Sequence, residues 1–295
     1  MSIVRDRFFP YNKEETFNKM KPLYRYIIIA LLSLVLLLSF SLIKESNKLE
    51  SQSRALIIVI SNNQILPQEI VSLYKNNKSL ADILLSFILS APRQELREMT
   101  IQEIAVNYGE EYLAERYKEK AIDYNEVVAL TGEQATYDNF KNSLIEAGER
   151  NEVVDLLLNM HGDEETILFY HDPGKEVSGI TEKEKIAEDL ELESLNIGFV
   201  YQTICYGKKD IDIWIQAGAK VASGAQGVNY FVLFAPEVFL NNWAKGFTYK
   251  EAVEAGYSYE LKRFRIIESI FSKDLFDSKS SEIFFIGDEN YKIKE

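Results

Sequence analysis

Two residues carry chemistry that the rest of the chain does not. His161 stands near the end of the apolar run "VVDLLLNMHG", and Cys205, the only cysteine, closes a second run, "VYQTICYG". A thiol is a weak nucleophile until a base takes its proton, and imidazole is the side chain that does so near neutral pH. Gly162, beside the histidine, lets a substrate approach the backbone closely. Its N–H and that of Cys205 are candidate donors to a developing oxyanion. Each residue also has an ordinary reading. A histidine at a strand end is commonly structural, and a cysteine in a strand is commonly a small hydrophobe. Together they form a candidate nucleophile–base pair.

Such a pair needs elements that bring it together. The run at 54–63, "RALIIVISNN", is continuously apolar, as a strand buried on both faces should be. Further strands are expected at 125–132, 151–162, 195–207 and 221–227. Helical spacing and charge pattern place helices within 64–122, after Thr136 (N-cap) up to Gly148 (C-cap), near 182–191, and from Asp210 to about Gly218. The stretch after Thr166 reads as a hairpin around Asp172-Pro173-Gly174, which carries His171 as a surface residue. Strands alternating with helices predict an α/β domain on a mainly parallel sheet flanked by helices. Sites in such sheets lie beyond the carboxyl ends of the strands, where His161 and Cys205 both fall.

The bulk composition excludes other classes. Net charge is −13, and no basic patch is interleaved with aromatics, which argues against nucleic-acid binding. One cysteine and two histidines do not make a thiolate or His-rich metal site. "SGAQG" lacks the pattern of a dinucleotide loop. No cofactor and no metal are expected.

The segment 26–43, "YIIIALLSLVLLLSFSLI", is free of charge, and at 1.5 Å per residue its 18 residues would span about 27 Å of bilayer. The preceding 25 residues are richer in Lys and Arg than the following flank. The positive-inside bias then sets residues 1–25 in the cytoplasm and the main domain outside the cell membrane. A cleaved signal peptide is the competing reading, with "SFS" at 39–41 as its small residues. Residues 44–53 read as a linker, and 54–295 as the main domain, with a helical insertion at about 64–122.

The His-Gly at the end of one strand and the cysteine at the end of a later one resemble the caspase-like (clan CD) cysteine peptidases, in their clostripain, gingipain and CHAT-like branch. "QTICYG" is similar to the family's Gln-Ala-Cys-x-Gly, with an extra residue between Gln202 and Cys205. "IQAGAKVASGAQG", "LNNWAKGFTYKEAVEAGYSY" and "FFIGDENYKI" resemble the family's following helix, strand, helix and ending. The resemblance covers about residues 54–293. It implies a caspase-like fold and peptide-bond hydrolysis through an acyl-enzyme. His161 would be the general base, Cys205 the nucleophile, and the amides of Gly162 and Cys205 the oxyanion donors. Thr203, two residues before the cysteine, takes a substrate-binding position where many relatives carry Asp or Glu, so neither basic nor legumain-type specificity carries over.

Asp163, Glu164 and Glu165 could raise the pKa of His161, bind a cationic substrate group or form a solvated acidic loop. Lys208 and Lys209 could favour a thiolate or an acidic substrate, or be exposed charges. Tyr230, Phe231 and Trp243 could line a cleft, with core packing as the default. The expected partners are a protein or peptide substrate and, through residues 26–43, the lipid bilayer. A catalytically silent scaffold on the same fold is the alternative, and a ligase that resolves its acyl-enzyme with an amine is a third reading.

Overall fold

The computed structural model describes residues 52–61, 97, 109–170, 180–191, 193, 195–229, 232–270 and 278–293. The expected membrane segment at 26–43, the linker up to residue 51, most of the 64–122 insertion, His171, the 172–174 turn, Tyr230 and Phe231 lie outside these residues. Among the described residues no helix is long and apolar enough to cross a membrane.

A sheet in the strand order β2-β1-β3-β6-β7-β8 forms the centre. Its strands are β1 (Arg54–Ser61), β2 (Glu126–Thr131), β3 (Val153–Gly162), β6 (Ile197–Gln202), β7 (Val221–Ala225) and β8 (Ile283–Gly287). The first five run parallel, and β8 closes one edge antiparallel to β7. All eight residues of β1 are buried, because a central parallel strand is covered on both faces. Two short strands, β4 (Thr166–Leu168) and β5 (Ile180–Glu182), lie off this path.

Helices cover both faces. On one face α2 (Tyr137–Arg150), α3 (Lys183–Glu191) and α4 (Ile211–Gln216) pack Phe140, Leu144, Ile186, Leu190 and Trp214 against Val154, Leu156, Leu158 and Met160 of β3. On the other, α1 (Glu110–Lys120), α5 (Ala235–Ala244) and α6 (Tyr249–Ile270) pack Tyr117, Phe239, Trp243 and Tyr249 against Leu157, Phe199 and Tyr201. The alternation along β3 divides its side chains between the two cores. Each large apolar side chain buried this way contributes about 1.5–3 kcal/mol.

A polar knot lies inside the second core at the amino-terminal edge of the sheet. Arg54 pairs with the fully buried Asp155 at 2.9 Å. The same carboxylate accepts from Tyr124 Oη at 2.8 Å and from the Phe199 N–H at 2.9 Å. Arg54 also donates to Tyr291 Oη at 2.7 Å, which fastens the end of the described chain to its first strand.

Several expectations need correction. Gly148 does not end α2. The helix runs to Arg150, and Gly148 sits inside it because a Cβ there would fall 2.7 Å from Leu195 Cδ2. Thr136 does cap it, accepting the Asn139 N–H at 3.2 Å. β6 ends at Gln202 rather than at the cysteine. Trp243 follows its default reading and is fully buried among aromatic rings. β4 pairs antiparallel with β5, which lies beyond the span expected for the hairpin, and β4 also folds back on β3 through a tight turn at 163–166.

Candidate active site

β3 and β6 are adjacent and parallel, with Leu156, Leu157 and Leu158 opposite Val200, Tyr201 and Gln202. That register, carried three residues further, sets His161 level with Cys205. The chain beyond β6 does pass close by. A Cβ at position 162 would fall 2.5 Å from Ile204 Cγ2, 2.9 Å from the Thr166 carbonyl oxygen and 3.8 Å from that of Cys205. Only glycine fits there. The sheet therefore brings His161, Gly162 and Cys205 to one edge.

The ladder also fixes where the Gly162 amide points. Along β3 the Val154 N–H bonds the Asn196 carbonyl, and the Leu158 carbonyl accepts from Thr203, so even-numbered backbone groups face β6. Asp163 bonds Thr166 across the β3–β4 turn, which makes Gly162–Ile167 a pair without mutual hydrogen bonds. The Gly162 N–H thus points away from β4, towards the turn that carries Cys205.

That turn is Ile204-Cys205-Tyr206-Gly207, closed by Gly207 N–H to Ile204 O at 3.2 Å. Tyr206 takes the left-handed conformation, with φ of 57°, that a type II turn demands at its third residue. A non-glycine residue there is strained, and the neighbours hold it in place. Gln202 donates to Gly207 O at 2.8 Å and accepts from Trp214 Nε1 at 3.1 Å. Tyr206 N–H reaches Gly227 O at 2.7 Å.

The Cys205 sulfur accepts the Asn229 N–H at 3.4 Å. Burial pushes the thiol above its usual range, and the amide pulls it part of the way back. His161 is half-buried, and burial lowers its imidazole below the usual value. Both shifts favour the neutral forms of the thiol and the imidazole.

Thr203 is buried, and its hydroxyl donates to Asn159 Oδ1 at 3.0 Å. Asn159 in turn donates to Val232 O at 2.9 Å. Thr203 therefore braces the floor under the site. Asp163 accepts the N–H groups of Glu165 and Thr166, both at 2.8 Å, which hold its carboxyl below the usual range. Glu164 pairs with Lys209, and Lys208 lies over the Phe284 ring at 3.6 Å. Among the described residues no group of three or more His, Cys, Asp or Glu could hold a metal ion. A cavity of 420 Å³ lined by Gly148, Asn151, Val154, Leu195 and Asn196 opens at the opposite, amino-terminal edge, away from these residues.

Sequence reasoning missed Asn159, Gln202, Asn229, Lys183 and Asp210. Lys183 Nζ reaches Asp210 Oδ1 at 2.5 Å and donates to the Asp163 carbonyl at 2.6 Å. Burial pushes the Asp210 carboxyl up to about 7, against the pull of that ammonium. The available signal was polar residues interrupting apolar runs: Asn159 in "LLLNMH" and Gln202 in "FVYQTI".

No protein-family profile matches the chain, and no curated protein matches it. Among solved structures the chain is similar to a secreted C11 cysteine protease from Bacteroides thetaiotaomicron in complex with an irreversible peptide inhibitor. Identity is 14%, the TM-score is 0.39, and the match covers 72% of this chain and 59% of that one. The chain thus spans less than two thirds of that protein's length, and a likeness this distant assigns no activity.

Proposed function

We propose that the chain is a cysteine peptidase in which Cys205 attacks a peptide carbonyl and His161 moves the protons. The observation that supports this reading is the parallel register of β3 and β6, which extended beyond Leu158↔Gln202 sets His161 level with Cys205, together with the close approach of Gly162 to the Cys205 turn. Neutral His161 takes the thiol proton, and the new thiolate adds to the carbonyl carbon. The N–H groups of Gly162 and Cys205 receive the oxyanion. The imidazolium then protonates the leaving amine, and the acyl-enzyme remains. Water, deprotonated by His161, hydrolyses the thioester and restores the thiol.

The test is covalent labelling of the full-length protein by a thiol-reactive peptide inhibitor, together with hydrolysis of a fluorogenic peptide library. Labelling and hydrolysis are expected in the native chain. Both are absent in Cys205→Ala, and labelling is lost in His161→Ala. Normal labelling of His161→Ala overturns the dyad.

One observation favours the second reading, a silent scaffold on the same frame. The thiol is half-buried and already accepts the Asn229 amide. Cellular function unchanged in Cys205→Ala would establish that reading. Residues 26–43 are proposed to anchor the domain outside the cell membrane, with residues 1–25 in the cytoplasm. Protease protection of the amino terminus in sealed cells, with digestion of the domain from outside, tests that orientation.

A further inference from the structure

The turn after His161 and the turn after Cys205 are joined by one buried lysine. Lys183 opens α3 and is 3% exposed, although lysine is among the side chains least often buried. Its backbone N–H bonds Glu165 O at 3.3 Å, and its ammonium bonds Asp163 O at 2.6 Å. It therefore grips the Asp163–Glu165 turn twice. The same ammonium reaches the carboxylate of Asp210, which is fully buried, at 2.5 Å. Asp210 lies at the head of α4, and its N–H bonds Gly207 O, the last residue of the Cys205 turn. Among the described residues the ammonium is the partner of that carboxylate. A buried charge pair of this kind adds little net stability, and a well-packed apolar pair would serve the core as well. What it does add is a fixed distance between two loops.

We propose that Lys183 and Asp210 are a positioning pair, whose buried contact holds the His161–Gly162 strand end and the Cys205 turn in the spacing needed for proton transfer. This rests on the dyad reading above, and it assigns no contact with substrate to either residue.

The experiment is a double-mutant cycle on the full-length chain. Cys205 is the one cysteine, so iodoacetamide alkylation read by mass reports a single site. In the native background His161→Ala is expected to slow alkylation at neutral pH by roughly 100-fold, the scale of a lost general base. In the background Lys183→Met with Asp210→Leu, which removes both charges, the same His161→Ala change is expected to matter by no more than about twofold. A merely structural pair would lower the melting temperature and leave the His161 factor intact in the folded protein. An equal factor in both backgrounds overturns the positioning pair and leaves the dyad standing. A factor near one in the native background overturns the dyad itself, and the pair with it. Asp210→Asn, which keeps the shape of the carboxylate, carries the same cycle if the double replacement does not fold.

Discussion

The Lys209 ammonium sits against the Glu164 carboxylate, linking the turn after His161 to the turn after Cys205 at the protein surface. Of the three acidic residues that follow the histidine, Asp163 and Glu164 are therefore both engaged. Asp163 folds onto its own turn, and Glu164 faces a lysine.

The surface pair is expected to be weak. Both side chains are about half exposed, at 52% and 57%, and such pairs contribute about 0–1 kcal/mol. Glu164→Gln and Lys209→Ala should each shift the melting temperature by only a degree or two for a domain of this size. A rise in KM for substrates with a basic residue, seen in Glu164→Gln alone, would instead identify Glu164 as a substrate-reading charge.

The acid limb of kcat/KM should lie below pH 6.5. His161 has to be neutral to accept the thiol proton, and burial keeps it neutral to a lower pH than a free imidazole. A pH–rate profile on any cleaved peptide checks this. An acid limb above 6.5 would mean that a nearby negative charge, rather than burial, governs the ring.

Gly162→Ala should damage both stability and rate. Its methyl group would overlap Ile204 Cγ2 and the Thr166 carbonyl. Overpacking of this kind costs about 1–3 kcal/mol, read by urea unfolding. Displacing the Cys205 turn by even a fraction of an ångström should lower kcat/KM by up to about 100-fold. A native rate in Gly162→Ala would show that the Cys205 turn absorbs the methyl group without losing its alignment.

Asp155→Ala should unfold the domain more easily than any change at the site edge. It leaves Arg54 buried without its counter-ion, a loss of about 3–5 kcal/mol. Arg54→Met should cost a similar amount. The two together should cost less than their sum, because one carboxylate and one guanidinium share a single network.

Glu260 should make the domain less stable as pH rises. Its carboxyl is buried and accepts the Ala235 N–H at 2.7 Å, and burial pushes it from 4.5 up to about 7. The folded state then holds a proton that the unfolded chain has released. Stability from this group is full below pH 4.5 and declines until about pH 7, by on the order of 3 kcal/mol in all. Unfolding of Glu260→Gln against the native chain across this range isolates the slope. Parallel curves for the two proteins would show that Glu260 is ionised throughout.

The central strands are legible in the sequence because parallel strands covered on both faces are unbroken apolar runs, as in "RALIIVIS" and "VVDLLL". The positions of His161 and Cys205 at one sheet edge follow from the same runs. The turn at 163–166 is not legible, because β4 is only three residues long and its pairing with β3 is a tertiary fact. The end of β6 is misread for a related reason. "TICYG" stays apolar past Gln202, and the chain bends into a turn there through the Gly207–Ile204 bond, the Gln202 bond to Gly207 and the Tyr206 bond to Gly227, the last made across the fold. Gly148 is taken for a helix cap because glycine commonly is one, whereas here it lies inside the helix with the Leu195 side chain packed close against it. Asp210 is legible as the start of a helix, but its pairing with Lys183 carries no local signal. Their pairing depends on two loops that meet only once the sheet has formed.

The bond between Arg54 and Tyr291 bears on how the chain is made. Arg54 emerges early from the ribosome, and Tyr291 follows 237 residues later. Asp155 follows Arg54 by 101 residues and can reach the guanidinium well before the tyrosine hydroxyl does. The growing domain therefore carries a partly satisfied charged knot at the base of β1 until Tyr291 has been made, so this network closes only after every strand of the sheet has been synthesised.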